Sequence, residues 1–290
     1  MTKHKFGGLW TRKKLAVLAD YLRFYQNALK DKNLELHYVD AFAGTGSHDP
    51  EEEDAGDLIP LEDLKGSVLT ALDIEPGFGQ YHFNDLNPEH VKALKEIRKN
   101  YPKKKIHISQ EDANIFIPRF CQSLNRYDRA VLLVDPYSTE FDWESLKHIS
   151  LTQKIDLWLL FPISVILRMT PRDGDRIRPE WRNTLNRLLG TNEWESFLYK
   201  PKKVLPMDDL FGFEEDSDAS TERINIGELQ QWIANRLKEL FPYVAKPLPL
   251  KTKGDAGSTL FMFFFAVSNP KPSAWGLAEK VAKDILEKYE

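Results

Sequence analysis

The chain has 290 residues, 42% of them hydrophobic and 29% charged, and its 40 Lys and Arg against 44 Asp and Glu leave a net charge of −4. This balance excludes a disordered tail and a collagen-like repeat, and it argues against a generic nucleic-acid coat while leaving room for a local basic patch. The longest apolar stretches, such as Leu157 to Leu167, fall well short of the roughly 20 residues of a membrane span. The opening Met-Thr-Lys-His-Lys lacks the apolar core of a signal peptide. The single Cys121 can make neither an internal disulfide nor a thiolate metal cage, so a reducing, cytoplasmic setting is expected.

From the N-terminus, Leu15, Leu18, Leu22, Tyr25 and Leu29 recur at helical spacing, predicting an amphipathic helix over Thr11 to Leu29 with Thr11 as its N-cap. Leu34 to Val39 reads as a strand ending at Asp40, followed by an acidic, turn-rich loop from Ser47 to Asp57 and a short helix from Leu64 to Leu72. Strand and helix then alternate. Tyr81 to Asn84, Ile106 to Ser109, Ala130 to Val134 and Ile155 to Phe161 are strands. Pro88 to Lys99, Ala113 to Leu124 (with Pro118 as a kink or interruption) and Asp142 to Ile149 are helices. That rhythm predicts an α/β fold, a mostly parallel sheet with helices on both sides. Ile163 to Tyr243 breaks it with helices around an acidic loop, Asp208 to Asp218. Val244 to Leu250 and Thr259 to Val267 suit a hairpin, and Trp275 to Tyr289 a closing helix. The expected organisation is an N-terminal helical segment or lid over 1–33, an α/β core from 34–162 and 244–290, and a helical insertion over 163–243 suited to substrate recognition.

The residues that carry chemistry stand at strand ends. Asp40-Ala41-Phe42-Ala43-Gly44-Thr45-Gly46 runs from a strand into a loop with two glycines, where backbone can approach a ligand unobstructed. Asp85, closing the second strand, suits ribose hydroxyls, and equally a turn that starts the next helix. Asp112, after the third, suits an adenine amine or a helix N-cap. Asp135-Pro136-Tyr137 ends the fourth strand. Its carboxylate and carbonyl can accept the hydrogens of a planar amine while the tyrosine stacks on the ring; the alternative is a plain Asp-Pro turn. The seven histidines show no ligand spacing, and no metal site is expected.

Together these strand ends resemble class I S-adenosylmethionine-dependent methyltransferases, and more closely the three-Cys-motif partner protein family, TcmP. The resemblance rests on Lys5-Phe6-Gly7-Gly8-Leu9-Trp10-Thr11 with Lys14-Leu15, on Tyr38 to Gly46, on Phe83-Asn84-Asp85-Leu86-Asn87-Pro88-Glu89, on Leu133-Val134-Asp135-Pro136-Tyr137, and on Phe161-Pro162 and Phe263 to Pro270. It covers most of the chain, least well in the middle insertion. It implies a Rossmann-like fold with a late antiparallel strand and S-adenosylmethionine as cofactor. Asp40, Phe42, Gly44 and Gly46 would hold the methionine end, Asp85 the ribose and Asp112 the adenine. Asp135, Pro136 and Tyr137 would receive the methyl-accepting amine of a nucleic-acid base, although the second proline of the usual Asp/Asn-Pro-Pro-Tyr/Phe run is absent here. It also implies a protein partner carrying a three-cysteine motif.

Arg168, Arg172, Arg176 and Arg178, with Trp181 interleaved, follow the fifth strand and suit phosphate and base contacts; a solvated, ion-paired helical face is the competing reading. Two other functions share the pattern. A nicotinamide oxidoreductase fits the fold but lacks the glycine spacing after Gly46, and a non-catalytic cofactor-binding subunit fits the altered Asp-Pro-Tyr run.

Overall fold

The computed structural model describes residues 9–46, 66–201, 221–255 and 257–290. The loops expected over Ser47 to Asp57 and Asp208 to Asp218 lie outside these residues. Helix α1 spans Leu9–Leu29, and strand β1 spans Glu35–Asp40. There follow α2 (Ser67–Leu72), β2 (Gln80–Asn84), α3 (Pro88–Asn100), β3 (Ile106–Ser109), α4 (Ala113–Ser123), β4 (Asp128–Val134), α5 (Trp143–Thr152) and β5 (Ile155–Phe161). The next stretch holds α6 (Ile163–Met169), α7 (Pro179–Leu189), α8 (Trp194–Leu198), a small antiparallel pair β6 (Tyr199–Pro201) and β7 (Thr221–Arg223), and α9 (Ile226–Leu240). The chain closes with β8 (Tyr243–Val244), β9 (Leu248–Asp255), β10 (Thr259–Val267) and α10 (Pro272–Tyr289).

The sheet runs β3-β2-β1-β4-β5-β10, with β8 and β9 sharing the outer edge of β10. The first five strands are parallel, and β10 is antiparallel to β5. This is the Rossmann-like arrangement with one late reversed strand that the family resemblance implies. β4 and β5 are apolar along almost their whole length because helices cover both faces. On one face Phe116, Leu146, Ile166, Leu188 and Ile233 build a core from α4, α5, α6, α7 and α9. On the other, Leu18, Leu22, Ala71, Leu94 and Ala282 build a second core from α1, α2, α3 and α10.

Several local expectations change. α1 begins at Leu9, so Thr11 lies inside the helix and is not its N-cap; its hydroxyl is buried. Pro118 sits within α4 without ending it. The run from Val244 to Leu250 divides between β8 and β9, which pair with different stretches of β10.

Candidate functional site

The parallel pairing puts the ends of β3, β2, β1 and β4 side by side, because Ser109 is in register with Asn84, and Asp40 with both Phe83 and Leu133. β1 sends its crossover to one side and receives β4 on the other, so the edge beyond its C-terminal end is the topological switch point, where sheets of this kind bind ligands. All four predicted strand-end motifs open onto this edge.

The glycine loop is fixed from two directions. Asp40, with no exposed surface, takes hydrogen bonds from the Ser67 hydroxyl at 2.6 Å and the Phe42 amide at 3.2 Å, and so supports the loop from beneath. Burial raises its carboxyl from 3.8 to about 7. Ser67, Phe42 and Lys14 lower it, and the charge of Asp135 raises it further. Asp85 accepts the Gly44 amide at 2.8 Å, the Asn87 amide at 2.8 Å and His90 Nδ1 at 3.1 Å, so it braces the loop and the start of α3 together. The buried Asn84 side chain donates to the carbonyls of Ala41 and Glu111 and accepts from the Glu111 amide, which ties three strand ends into one rim.

Gly44 and Gly46 both have positive φ, +59° and +77°, but their surroundings differ. A Cβ on Gly46 would lie 2.5 Å from Ile97 Cδ1, whereas one on Gly44 would meet nothing within 4 Å. Gly46 therefore serves packing, while Gly44 faces open space. Phe42 is partly buried against the core. Asp112 caps α4 by accepting the Asn114 amide at 2.8 Å, yet stays exposed beside the rim.

On the β4 side, Pro136 is buried and Tyr137 is 83% exposed, its ring held out at the edge. Asp135 Oδ2 accepts a hydrogen bond from the buried ammonium of Lys14, brought in by α1. Beyond Tyr137 the chain is staked down by α4 and α7. Asn114 donates to the Glu140 carbonyl at 2.6 Å and accepts the Asp142 amide at 2.8 Å, and Arg187 donates to the Thr139 carbonyl at 2.8 Å and pairs with Asp142 at 2.5 Å.

The arginine segment divides its work. Arg176 pairs with Asp173 and Arg182 with Glu195, which is the ion-paired face. Arg168, Arg172 and Arg178 are exposed, and the Arg178 guanidinium lies 4.8 Å from the Trp181 ring.

The sequence pattern does not point to Ser67 or the exposed Ile115 (64% exposed), and it assigns no role to Asn84, Leu86 (66% exposed) or Arg187. Leu86 follows Asp85 directly and Ile115 sits in the first turn of α4, three residues after Asp112. Among the described residues no group of three or more His, Cys, Asp or Glu is placed to hold a metal ion, and no helix is long and apolar enough to cross a membrane.

No family model and no curated protein sequence matches the chain. Among solved structures it is similar to protein LPL1258 from Legionella pneumophila, of the DUF519 family, with a TM-score of 0.52 at 14% identity over 97% of this chain and 94% of that one. It is more loosely similar to the magnesium protoporphyrin IX methyltransferase ChlM of Synechocystis, crystallised with SAH, with a TM-score of 0.38 at 14% identity over 92% and 89%. A methyltransferase from Clostridium acetobutylicum gives 0.36 at 11% identity over 86% and 91%. The first of these likenesses extends over almost the whole of both chains and concerns the fold.

Proposed function

We propose that the chain is an S-adenosylmethionine-dependent methyltransferase of the TcmP kind that acts on an amine of a nucleic-acid base. One observation carries the reading: the glycine loop, Asp85, Asp112 and Asp135-Pro136-Tyr137 stand at adjacent strand ends along one edge of the sheet. The residues fit the cofactor. Gly44 faces open space at the loop, and the carboxylate of Asp85 holds that loop, 2.8 Å from the Gly44 amide. Leu86 and Ile115 supply apolar surface suited to a purine face.

The bound cofactor would supply a methyl group already activated by its sulfonium. The protein's contribution is then positioning and exclusion of water. Asp135 and the Pro136 carbonyl accept the hydrogens of the acceptor amine and orient its lone pair toward the methyl group. Tyr137, exposed and anchored at its base by the buried proline, stacks on the base. A target inside a duplex would have to flip out to reach this edge. Arg168, Arg172 and Arg178 with Trp181 favour a phosphate-bearing substrate, and a partner protein with a three-cysteine motif would help to present it. Cytoplasmic function accords with this substrate.

Calorimetry with S-adenosylhomocysteine tests the cofactor half, with Gly44→Val as the matched control; binding by the wild type that the variant loses is expected. Transfer of labelled methyl from S-adenosylmethionine to pooled hypomethylated RNA and DNA, abolished in Asp135→Ala, tests the rest. Cofactor binding with no transfer would leave the non-catalytic subunit in its place, and no binding would overturn the proposal.

A further inference from the structure

We infer that Lys14 is a positioning residue for methyl transfer, acting through Asp135: its ammonium fixes one carboxylate oxygen so that the other faces the acceptor amine. The inference rests on the methyltransferase reading above. Lys14 is 6% exposed, and its ammonium is 5.4 Å from the ring centroid of Trp10. A buried ammonium is costly unless it is paired, and a leucine would pack α1 against the sheet as well. Its place is explained by what surrounds it. It donates to Asp135 Oδ2, and among the described residues Asp135 Oδ1 has no hydrogen-bond partner. The buried Asp40 also feels its charge, so a single cation serves two carboxylates at the ends of β1 and β4. The charged and polar groups facing this cluster are Lys14 from α1, Tyr38 and Asp40 from β1, Ser67 from α2 and Asp135 after β4.

Without Lys14 no described group would hold Asp135 Oδ2, and the carboxylate would be free to turn away from the acceptor amine. α1 can set the geometry because it is rigidly docked. Leu15, Leu18 and Leu22 are buried, and Trp10 packs on Phe261 with ring centroids 5.1 Å apart. A lysine 121 residues away in sequence thereby reaches the acceptor carboxylate from a separate helix.

The test uses the full chain and the same pooled hypomethylated RNA and DNA. Lys14→Met is expected to lower kcat about 100-fold, the scale of a small misplacement of a reacting group, with the affinity for S-adenosylhomocysteine unchanged. Lys14→Arg should recover part of the rate, and in an Asp135→Asn background Lys14→Met should cost nothing further. Should Lys14→Met fail to fold, the double variant with Asp135→Asn removes the unpaired carboxylate, and Lys14→Gln, neutral but still a donor, replaces it in the rate measurement. Lys14→Met turning over like the wild type, or losing cofactor affinity in step with rate, overturns the inference and leaves the methyltransferase reading standing. A wild-type chain that neither binds S-adenosylhomocysteine nor transfers methyl overturns both.

Discussion

Gly44 and Gly46 sit two positions apart in one loop, and the space around each assigns it a different task. At Gly44 the open surroundings mean that alanine costs only the strain of a positive φ, about 1 kcal/mol. At Gly46 a Cβ must displace the tip of Ile97, 2.5 Å away, and crowd Leu94 at 3.3 Å. Gly44→Ala is therefore expected to keep most of the thermal stability while weakening S-adenosylhomocysteine at least tenfold, and Gly46→Ala to lower the melting temperature more. Melting curves and calorimetry on the two variants check this, and the reverse order would refute it. These residues could be read from the sequence because an acidic residue followed by glycines at the end of an apolar run has a local meaning. Lys14 belongs to the run that carries the resemblance, but its pairing with Asp135 has no local signal, since the partner lies in a different element. Asp40 has no exposed surface, and periodicity places a residue at a strand end without saying which side of the loop its carboxylate meets.

Within the stretch between β5 and β8, α7 grips the chain after Tyr137. Arg187 holds Thr139, Glu140 and Asp142. It is exposed, so its ion pair with Asp142 adds little to stability, about 1 kcal/mol at most. Its effect should fall on the placement of Tyr137 and Asp135. Arg187→Ala is expected to melt within a few degrees of the wild type, bind S-adenosylhomocysteine equally well, and transfer methyl about tenfold more slowly, a modest misalignment. A rate equal to the wild type would show that the loop needs no such support. The parallel strands were readable because each is a continuous apolar run with a helix after it. β6 and β7 were not, because three-residue strands carry no period and exist only through pairing with each other. The break between β8 and β9 was hidden for the same reason, since it is set by where β10 offers an edge.

Charge buried across the sheet gives the folded chain opposing responses to pH. Burial raises Asp40 and Asp156 from 3.8 to about 7. Between those values the folded chain keeps protons that the unfolded chain has released, so their contribution is full below about pH 4 and is lost as the pH rises through 7. On the β1–β2–β3 face, His37 Nδ1 lies 3.1 Å from His82 Nε2, and His82 stacks on His107 at 4.7 Å. Burial lowers His37, and it lowers His82 from 6.5 to about 3, with the neighbouring histidines adding to the effect. Their contribution is full above about pH 6.5 and is lost as the pH falls toward 3. The two trends oppose each other near pH 5, which predicts a flat region of stability there, with an acid limb set by the histidines and an alkaline limb set by the aspartates. Asp156 lies near the start of β5, away from the strand ends of the candidate site, and accepts the Tyr21 hydroxyl at 2.6 Å, a bond that asparagine can also accept. Asp156→Asn should therefore remove part of the alkaline limb alone. In urea unfolding it is expected to be more stable than the wild type at about pH 8, by on the order of 2 kcal/mol, with the advantage shrinking toward zero by about pH 4. The same difference at both pH values would mean that the variant alters packing and that burial of this carboxylate does not set the alkaline limb.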